Sequence, residues 1–406
     1  MSLFKNLHHF FATLFVFAVI WILYLIPSNI DFLNPISQAI GDFEITDIVF
    51  SKIRKEQPPD TQLVIVNIGN LSRNEIAQQI NRINFFNPKV IGVDAFFRNE
   101  KNSGQDSSLE KALANTKNLV MVSELSQLNS KSGFFEKLSG SHPKFLRNAT
   151  TGFANLISET GTFRTIRRFL PSIKVSEKQE VSFPVKVSTL FNPGKTEKFL
   201  SRKNETEIIN YRGNFRHFYF LDAEQVLDSL IRLDFIKDKI VILGYINPNE
   251  ESRTFEDVMF TPLNERFAGK TFPDMYGMVI HANIISMILN EEFIYELPFW
   301  GTFIIAFIIG YLNIALFAWY YRKYKKSYDV FTKLTQLIEC LLLLAVVVLF
   351  FNYLNVKLNI SLLLVFIIFS GDLLEFYFGM LELDFIKKIR ENAKMFFSKR
   401  KSDIIP

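Results

Sequence analysis

The side chains able to do chemistry are few and dispersed. There are five His and one Cys in 406 residues. The histidines include no His-x-x-x-His pair, and a lone Cys340 excludes a disulfide framework and any Cys-based zinc module. No Gly-x-x-x-x-Gly-Lys-Ser/Thr loop, Gly-x-Gly-x-x-Gly turn or His-Glu-x-x-His helix occurs. These absences predict a protein that is not an enzyme and holds no metal or cofactor. What remains are polar groups at the ends of apolar runs. Asn67, Asp94, Arg98, Tyr245, His281 and Asn283 are candidate ligand-binding residues, with Asn70, Ser123, Glu124 and Asn247 beside them. Asp94 either binds or caps a neighbouring backbone, and His281 either contacts a ligand or packs as a half-buried histidine. Arg164, Arg167 and Arg168 suit an anion or a solvated hairpin face. His8-His9 reads as an interfacial pair.

Asp372 and Glu375 stand three apart within an apolar run and share a helical face. Carboxylates at bilayer depth are candidates for partner contact or proton relay; the alternative is that they sit hydrated near the surface or pair with Arg322 or Lys323. Lys387, Lys388 and Arg390 follow among apolar residues at helical spacing (Ile386, Ile389, Ala393, Phe396). That pattern suits a partner-contacting stalk or an amphipathic helix on anionic lipid.

The elements that must position these residues fall into two groups. The first is membrane-spanning. Half of the residues (49%) are apolar, with 44 Phe and a mean hydropathy of +0.15. Residues 10–26 form an uncharged run read as an uncleaved signal anchor, because no small-x-small cleavage site follows. Residues 297–321, 334–354 and 358–380 are three further spans, giving a one-plus-three arrangement. Lys and Arg cluster at residues 1–9, in the loop 322–333 and in the tail 381–406. Of the 46 basic and 41 acidic residues, 14 and 8 lie outside residues 27–296, so that interval is near neutral and the remainder carries +6. Basic short loops stay in the cytoplasm. The expected layout is therefore a multi-pass protein of a bacterial cytoplasmic membrane, both termini inside and residues 27–296 extracytoplasmic. Its pI near 9.0 reflects topology and anionic lipid at the inner face, with no nucleic-acid surface.

The second group is the 27–296 interval, long enough for its own core. Gln62–Ile68 and Val90–Phe96 read as buried strands and Leu119–Val122 as a third. Ser72-x-x-Glu75 has capping-box spacing ahead of Ile76, Ile80 and Ile83, and Asn87-Pro88 stops that helix. A second helix is expected near Ser108–Asn115. Alternating strands and helices imply an α/β domain with a parallel sheet and right-handed crossovers. Residues 153–193, with a turn at Glu159-Thr160-Gly161, read as an antiparallel insertion. Ile208–Tyr211 and Ile240–Leu243 read as returning sheet strands around a helix from Asp222, and Pro273–Asn290 as a closing helix. Ligands of open α/β sheets bind beyond the carboxyl ends of the strands, where the candidate residues fall, and His281 and Asn283 begin the closing helix.

Several segments resemble the second class of CHASE domains, the cyclase/histidine-kinase-associated sensory extracellular domains. They are Val93-Asp94 on the second strand, Ile209-Asn210-Tyr211-Arg212-Gly213, Asp238 to Gly244 (DKIVILG), Phe260-Thr261-Pro262-Leu263, and Gly277 to Asn283 (GMVIHAN). The resemblance spans about residues 30–380, since the family also places one span before its domain and three after it. It departs at Ser158–Arg164, where only Gly161 and Arg164 match the family's Asp-x-Asp-Gly-like turn. It implies a sensory or ligand-binding role. Family members usually continue into a kinase, cyclase or diguanylate-cyclase module, whereas this chain ends 26 residues after Met380. The expected function is thus a sensor acting through another membrane protein. The alternative is a structural or docking subunit of an envelope complex, and homo-oligomerisation stays open.

Overall fold

The computed structural model describes residues 2–25, 44–128, 135–156, 165–247, 257–264 and 272–382. The chain divides into two compact units, Leu33–Ile294 and Met1–Phe32 with Tyr295–Pro406.

The Leu33–Ile294 unit is built on a seven-stranded sheet of order β10-β1-β11-β2-β3-β4, with β5 also paired to β3. The strands are β1 (Asp60–Asn67), β2 (Val90–Asp94), β3 (Leu119–Leu128), β4 (Phe135–Gly140), β5 (Ala149–Phe153), β10 (Phe218–Leu221) and β11 (Ile240–Gly244). All pairings are parallel except β3 with β4. The α/β expectation therefore holds. β11 lies between β1 and β2, pairing Ile242 with Ile65 on one side and with Gly92 on the other. Its run Ile240–Gly244 is buried throughout, as a strand covered on both faces requires.

One face is covered by α3 (Arg73–Phe85), α4 (Ser103–Ala114) and α7 (Ala223–Leu227). Ser72 caps α3 as its spacing predicts: its hydroxyl accepts from Glu75 N and the Glu75 carboxylate accepts from Ser72 N. Ile76, Ile80 and Ile83 pack onto Val64, Val66, Val93 and Leu243. The opposite face is covered by α5 (Phe183–Phe191), followed by α6 (Pro193–Leu200), and by α8 (Gly277–Asn290). Close approach there needs glycine. A Cβ on Gly92 would come 2.8 Å from Phe183 Cζ, and one on Gly152 only 2.7 Å from Phe183 Cα.

Two expectations change, and a third cannot be compared. Residues 183–191 are the helix α5, not part of a hairpin insertion; of the antiparallel reading, β7 (Ser172–Val175) with β8 (Lys178–Val181) remains. The Phe-Pro-Val-Lys-Val-Ser alternation resembles a strand, but Pro184 at the first turn and burial against Gly92 and Gly152 suit a helix. Ile208–Tyr211 does not return to the main sheet: β9 (Glu207–Ile208) pairs only with β6 (Arg168–Phe169), and β10 takes the edge. The expected turn at Glu159–Gly161, with Arg164, lies outside the described residues.

The other unit contains α1 (Ser2–Leu25), α9 (Phe299–Lys323), α10 (Tyr328–Leu354) and α11 (Ser361–Glu382). The last three are long and apolar enough to cross a membrane; the apolar stretch of α1, Leu7–Leu23, is shorter. α1 packs on α9 and α11, burying Ala12, Val16 and Ile20 with Ile314, Phe317, Phe366 and Leu374. A Cβ on Gly310 would lie 2.8 Å from the Phe366 ring, so a small residue sets the α9–α11 spacing. Polar bonds add to this: Asn313 Nδ2 donates to Glu339 (2.7 Å), Gln336 Nε2 to the Ile367 carbonyl (2.8 Å) and Tyr328 Oη to the Gly371 carbonyl (2.8 Å). α10 begins at Tyr328, so Lys333 belongs to a helix and not to the connecting loop.

Candidate functional site

The carboxyl ends of β1, β11, β2 and β3 form the pole at which an open α/β sheet binds ligands. Helices run antiparallel to these strands, so α8 starts here. A Cβ on Gly244 would lie 2.6 Å from Met278 Sδ and 3.4 Å from Asp94 Cβ, which brings the end of β11, Asp94 and the first turn of α8 together. Asp94 ends β2 on the same face as Gly92, under Phe183, and Phe183 meets His281 edge to face at 5.4 Å.

The candidates separate by what they touch. Asn67 is buried and committed to its own backbone: its Oδ1 accepts from Gly69 N and Ile246 N (both 2.9 Å), and its Nδ2 donates to Asp222 Oδ1 (2.8 Å). It ties together the loops after β1 and β11. Asn283 is fully buried and likewise engaged. Its Oδ1 accepts from Arg212 N (2.7 Å) and Gly213 N (3.1 Å), and its Nδ2 donates to the Gly213 and Val279 carbonyls (each 2.9 Å). Both therefore act as clamps of neighbouring chain. Arg98 pairs with Glu124 at 2.6 Å on the exposed rim and lies over Phe96. Tyr245 packs toward the α3 side, 6.2 Å from the Tyr276 ring.

Asp94 and His281 carry the unusual electrostatics. Among the described residues no cation or donor is bonded to Asp94; burial, and then the charge of Asp257, push its pKa up to about 7. His281 is 3% exposed, its Nδ1 has no hydrogen-bond partner in the structure, and burial lowers its pKa to about 4. This pole thus carries a carboxyl whose pKa lies near 7 and, in the first turns of α8, a neutral imidazole. The two side chains offer hydrogen-bond acceptors and a site for positive charge.

The two shifts have opposite signs in stability. Raising Asp94 stabilises the fold at low pH, an effect lost as pH rises to about 7. Lowering His281 makes folding exclude a proton, so its contribution grows as pH rises from about 4 through 6.5. They oppose each other in weakly acidic solution. Asp94→Asn is therefore expected to melt near wild type at about pH 4 and increasingly above it toward about pH 8. A constant difference across that range would show that Asp94 ionises freely.

At the opposite pole lies a network that the sequence reading missed. Arg212 Nε donates to Ser286 Oγ (2.9 Å), one terminal nitrogen to the Pro58 carbonyl (2.8 Å) and the other to Glu292 Oε2 (2.6 Å). Asp60 Oδ2 accepts from Ser286 Oγ (2.6 Å) and Asn290 Nδ2 (2.9 Å). The segment feeding β1 is thus bonded to the end of α8, from which the chain leaves toward α9. A second lock is buried: Arg167 Nε and a terminal nitrogen donate to the two Asp47 oxygens at 3.0 and 2.7 Å. Asp47 belongs to α2 (Ile45–Ile48). The sequence signal for Arg212 was its place in the Ile209–Gly213 segment, but its partners are 74 to 154 positions away.

In the helical unit Asp372 pairs with Lys333 of α10 (2.6 Å), not with Arg322 or Lys323, and both side chains are about half exposed. Glu375 is exposed and has no partner among the described residues. Lys387, Lys388 and Arg390 lie outside the described residues. Among the described residues no group of three or more His, Cys, Asp or Glu could hold a metal.

Comparison with known families finds that the CHASE2 domain family matches residues 17–317, about three quarters of the chain. No curated protein and no solved structure matches it.

Proposed function

The chain belongs to the CHASE2 domain family, and on that premise we propose that it is a membrane sensor which acts through a partner protein. A CHASE2 domain is a sensory extracellular domain, and three helices long and apolar enough to cross a membrane can anchor it. The observation that carries the finer reading is the Arg212 network. Ligand at the Asp94 pole would act on the first turn of α8. The last turn of α8 is bonded through Ser286 and Asn290 to the segment that feeds β1. A shift of α8 therefore alters the geometry of both chain ends leaving the domain, provided that ligand binds its two positions unequally. The change then passes to helices carrying Glu375, which has no hydrogen-bond or ion-pair partner among the described residues and gains from a cationic or hydroxyl partner away from lipid.

The experiment is capture of the full-length protein from its native membrane in mild detergent, with mass spectrometry of its companions. Wild type is expected to bring down a membrane protein that Glu375→Ala retains poorly. A wild type that emerges alone sinks the relay. A companion retained by Glu375→Ala but dependent on the outer domain would favour the docking-subunit reading.

The Lys/Arg asymmetry supports cytoplasmic termini and an extracytoplasmic Leu33–Ile294 unit in a bacterial inner membrane. A reporter active only in the cytoplasm should work when fused after Lys326 and stay silent near Gly104. Activity at Gly104 would reverse the orientation.

A further inference from the structure

The amino ends of the strands form a second surface, and it differs in character from the Asp94 pole. Phe85, at the end of α3, is 77% exposed and Leu230, in the loop after α7, is 87% exposed. Singly exposed apolar side chains are ordinary, but these two stand on segments bonded to each other, the last turn of α3 and the loop after α7. A terminal nitrogen of Arg82 donates to the Asp228 and Ile231 carbonyls (both 2.7 Å), and Leu230 N donates to Asp228 Oδ1 (2.9 Å). The loop is thereby pinned beside the helix end with its leucine outward. Asp238 N bonds to the Asn87 carbonyl (3.1 Å), which continues the surface to Tyr219 and Phe235, partly exposed with rings 5.3 Å apart.

Lysines share this pole with the apolar side chains. Lys89, Lys117 and Lys237 are exposed and stand just before β2, β3 and β11. None of the three pairs with a carboxylate among the described residues, whereas Arg232 and Asp234 neutralise each other nearby. Lysines at this pole also complement the carboxyl ends of the helices, but that role does not require exposed Phe and Leu between them.

The chain itself says what such a surface meets. α8 ends at this pole, where Asn290 bonds to Asp60, and α9 starts at Phe299 after eight intervening residues. Eight residues reach at most about 29 Å. α9 opens with Phe299 and Trp300, both largely exposed, an aromatic pair of the kind that marks a membrane–water boundary. Apolar side chains at one pole with lysines that no carboxylate neutralises among the described residues, on a short tether to that boundary, match a bilayer in both layers of its chemistry: acyl chain below, phosphate above.

We propose that the strand-amino pole is a lipid-binding surface, with Phe85 and Leu230 entering the headgroup layer and Lys89, Lys117 and Lys237 pairing with lipid phosphates. It would hold the sensory domain against the membrane while the Asp94 pole stays in water. The proposal depends on the tether and the patch and is independent of which face of the membrane the domain occupies.

The test uses the full-length protein carrying Cys340→Ser, with an environment-sensitive fluorophore on Leu230→Cys or, as a control at the opposite pole, on Ser103→Cys. Each is placed in nanodiscs of phosphatidylcholine containing a headgroup-nitroxide lipid, with or without phosphatidylglycerol. The label at Leu230 is expected to be quenched at least about twofold more than that at Ser103, and to shift to the blue. Phosphatidylglycerol should increase the difference, and Lys117→Gln with Lys237→Gln should remove that increase. Equal quenching at both positions overturns the proposal, since the patch would then face water or protein. Quenching at Leu230 that ignores phosphatidylglycerol overturns the assignment of the lysines.

Discussion

Ile242→Asp should leave the Leu33–Ile294 unit without a cooperative fold. Ile242 is fully buried on the central strand β11, flanked by Ile65 of β1 and Gly92 of β2. Helices cover both faces of that sheet, so an introduced carboxylate reaches neither water nor a cation. Burial of an uncompensated charge costs several kcal/mol even after protonation relieves it, against a whole domain's stability of about 5–15 kcal/mol. Val93→Asp, on the α3 side of β2, should do the same. Ile242→Val, which removes one methyl group, should cost only about 1 kcal/mol. Thermal melting and limited proteolysis of the full-length variants in detergent distinguish these outcomes. If either Asp variant melts like wild type, the strand is not covered on both faces.

Asp47→Ala is the second change expected to have a large effect. Asp47 and Arg167 are almost fully buried, and the guanidinium engages both carboxylate oxygens. Removing one member of such a pair leaves the other charge desolvated, at a cost of about 3–5 kcal/mol. Arg167 is fixed in a crowded setting, since its carbonyl accepts from Ile209 N (2.9 Å) and the neighbouring Ile166 carbonyl accepts from Tyr211 Oη (2.7 Å). Asp47→Ala combined with Arg167→Met should recover part of the loss, because the double variant removes both members of the buried pair. The comparison is a double-mutant cycle read by melting of the full-length protein. A double variant as unstable as Asp47→Ala alone would trace the loss to packing of α2 and not to the charge.

Both variants act on features that differ in how far the sequence exposes them. The strand carrying Ile242 was legible because Ile240-Val241-Ile242-Leu243 is an unbroken aliphatic run ending at Gly244. The α3 cap was legible because Ser72 and Glu75 are three residues apart and bond to each other. The apolar runs of α9, α10 and α11 were legible because bilayer-length apolarity is a local property. The candidate pole was legible in outline: Asp94, Tyr245 and His281 do fall at strand ends and at the start of the closing helix. Their chemistry was not. That Asn67 and Asn283 are occupied by backbone partners, while Asp94 lacks one, depends on loops folded back from elsewhere in the chain. Residues 183–191 went the other way: their alternating apolar pattern favours a strand in isolation, and contact with Gly92 and Gly152 makes them a helix.

The sequence by itself determined the properties that arise within a few residues: the cap of α3, which runs are buried, which stretches suit a membrane, and the family segments in their order. Tertiary structure alone decided strand order and every long-range polar partner. β11 inserts between β1 and β2 although about 180 positions separate Leu63 from its partner Ile240. Arg212 joins Pro58 to Glu292, and Asp372 finds Lys333 and not Arg322. The reason is physical. Local pattern reports the free energy of burying one face of one element, whereas pairing across the chain depends on which desolvated donors and acceptors the whole packing brings within about 3 Å of each other.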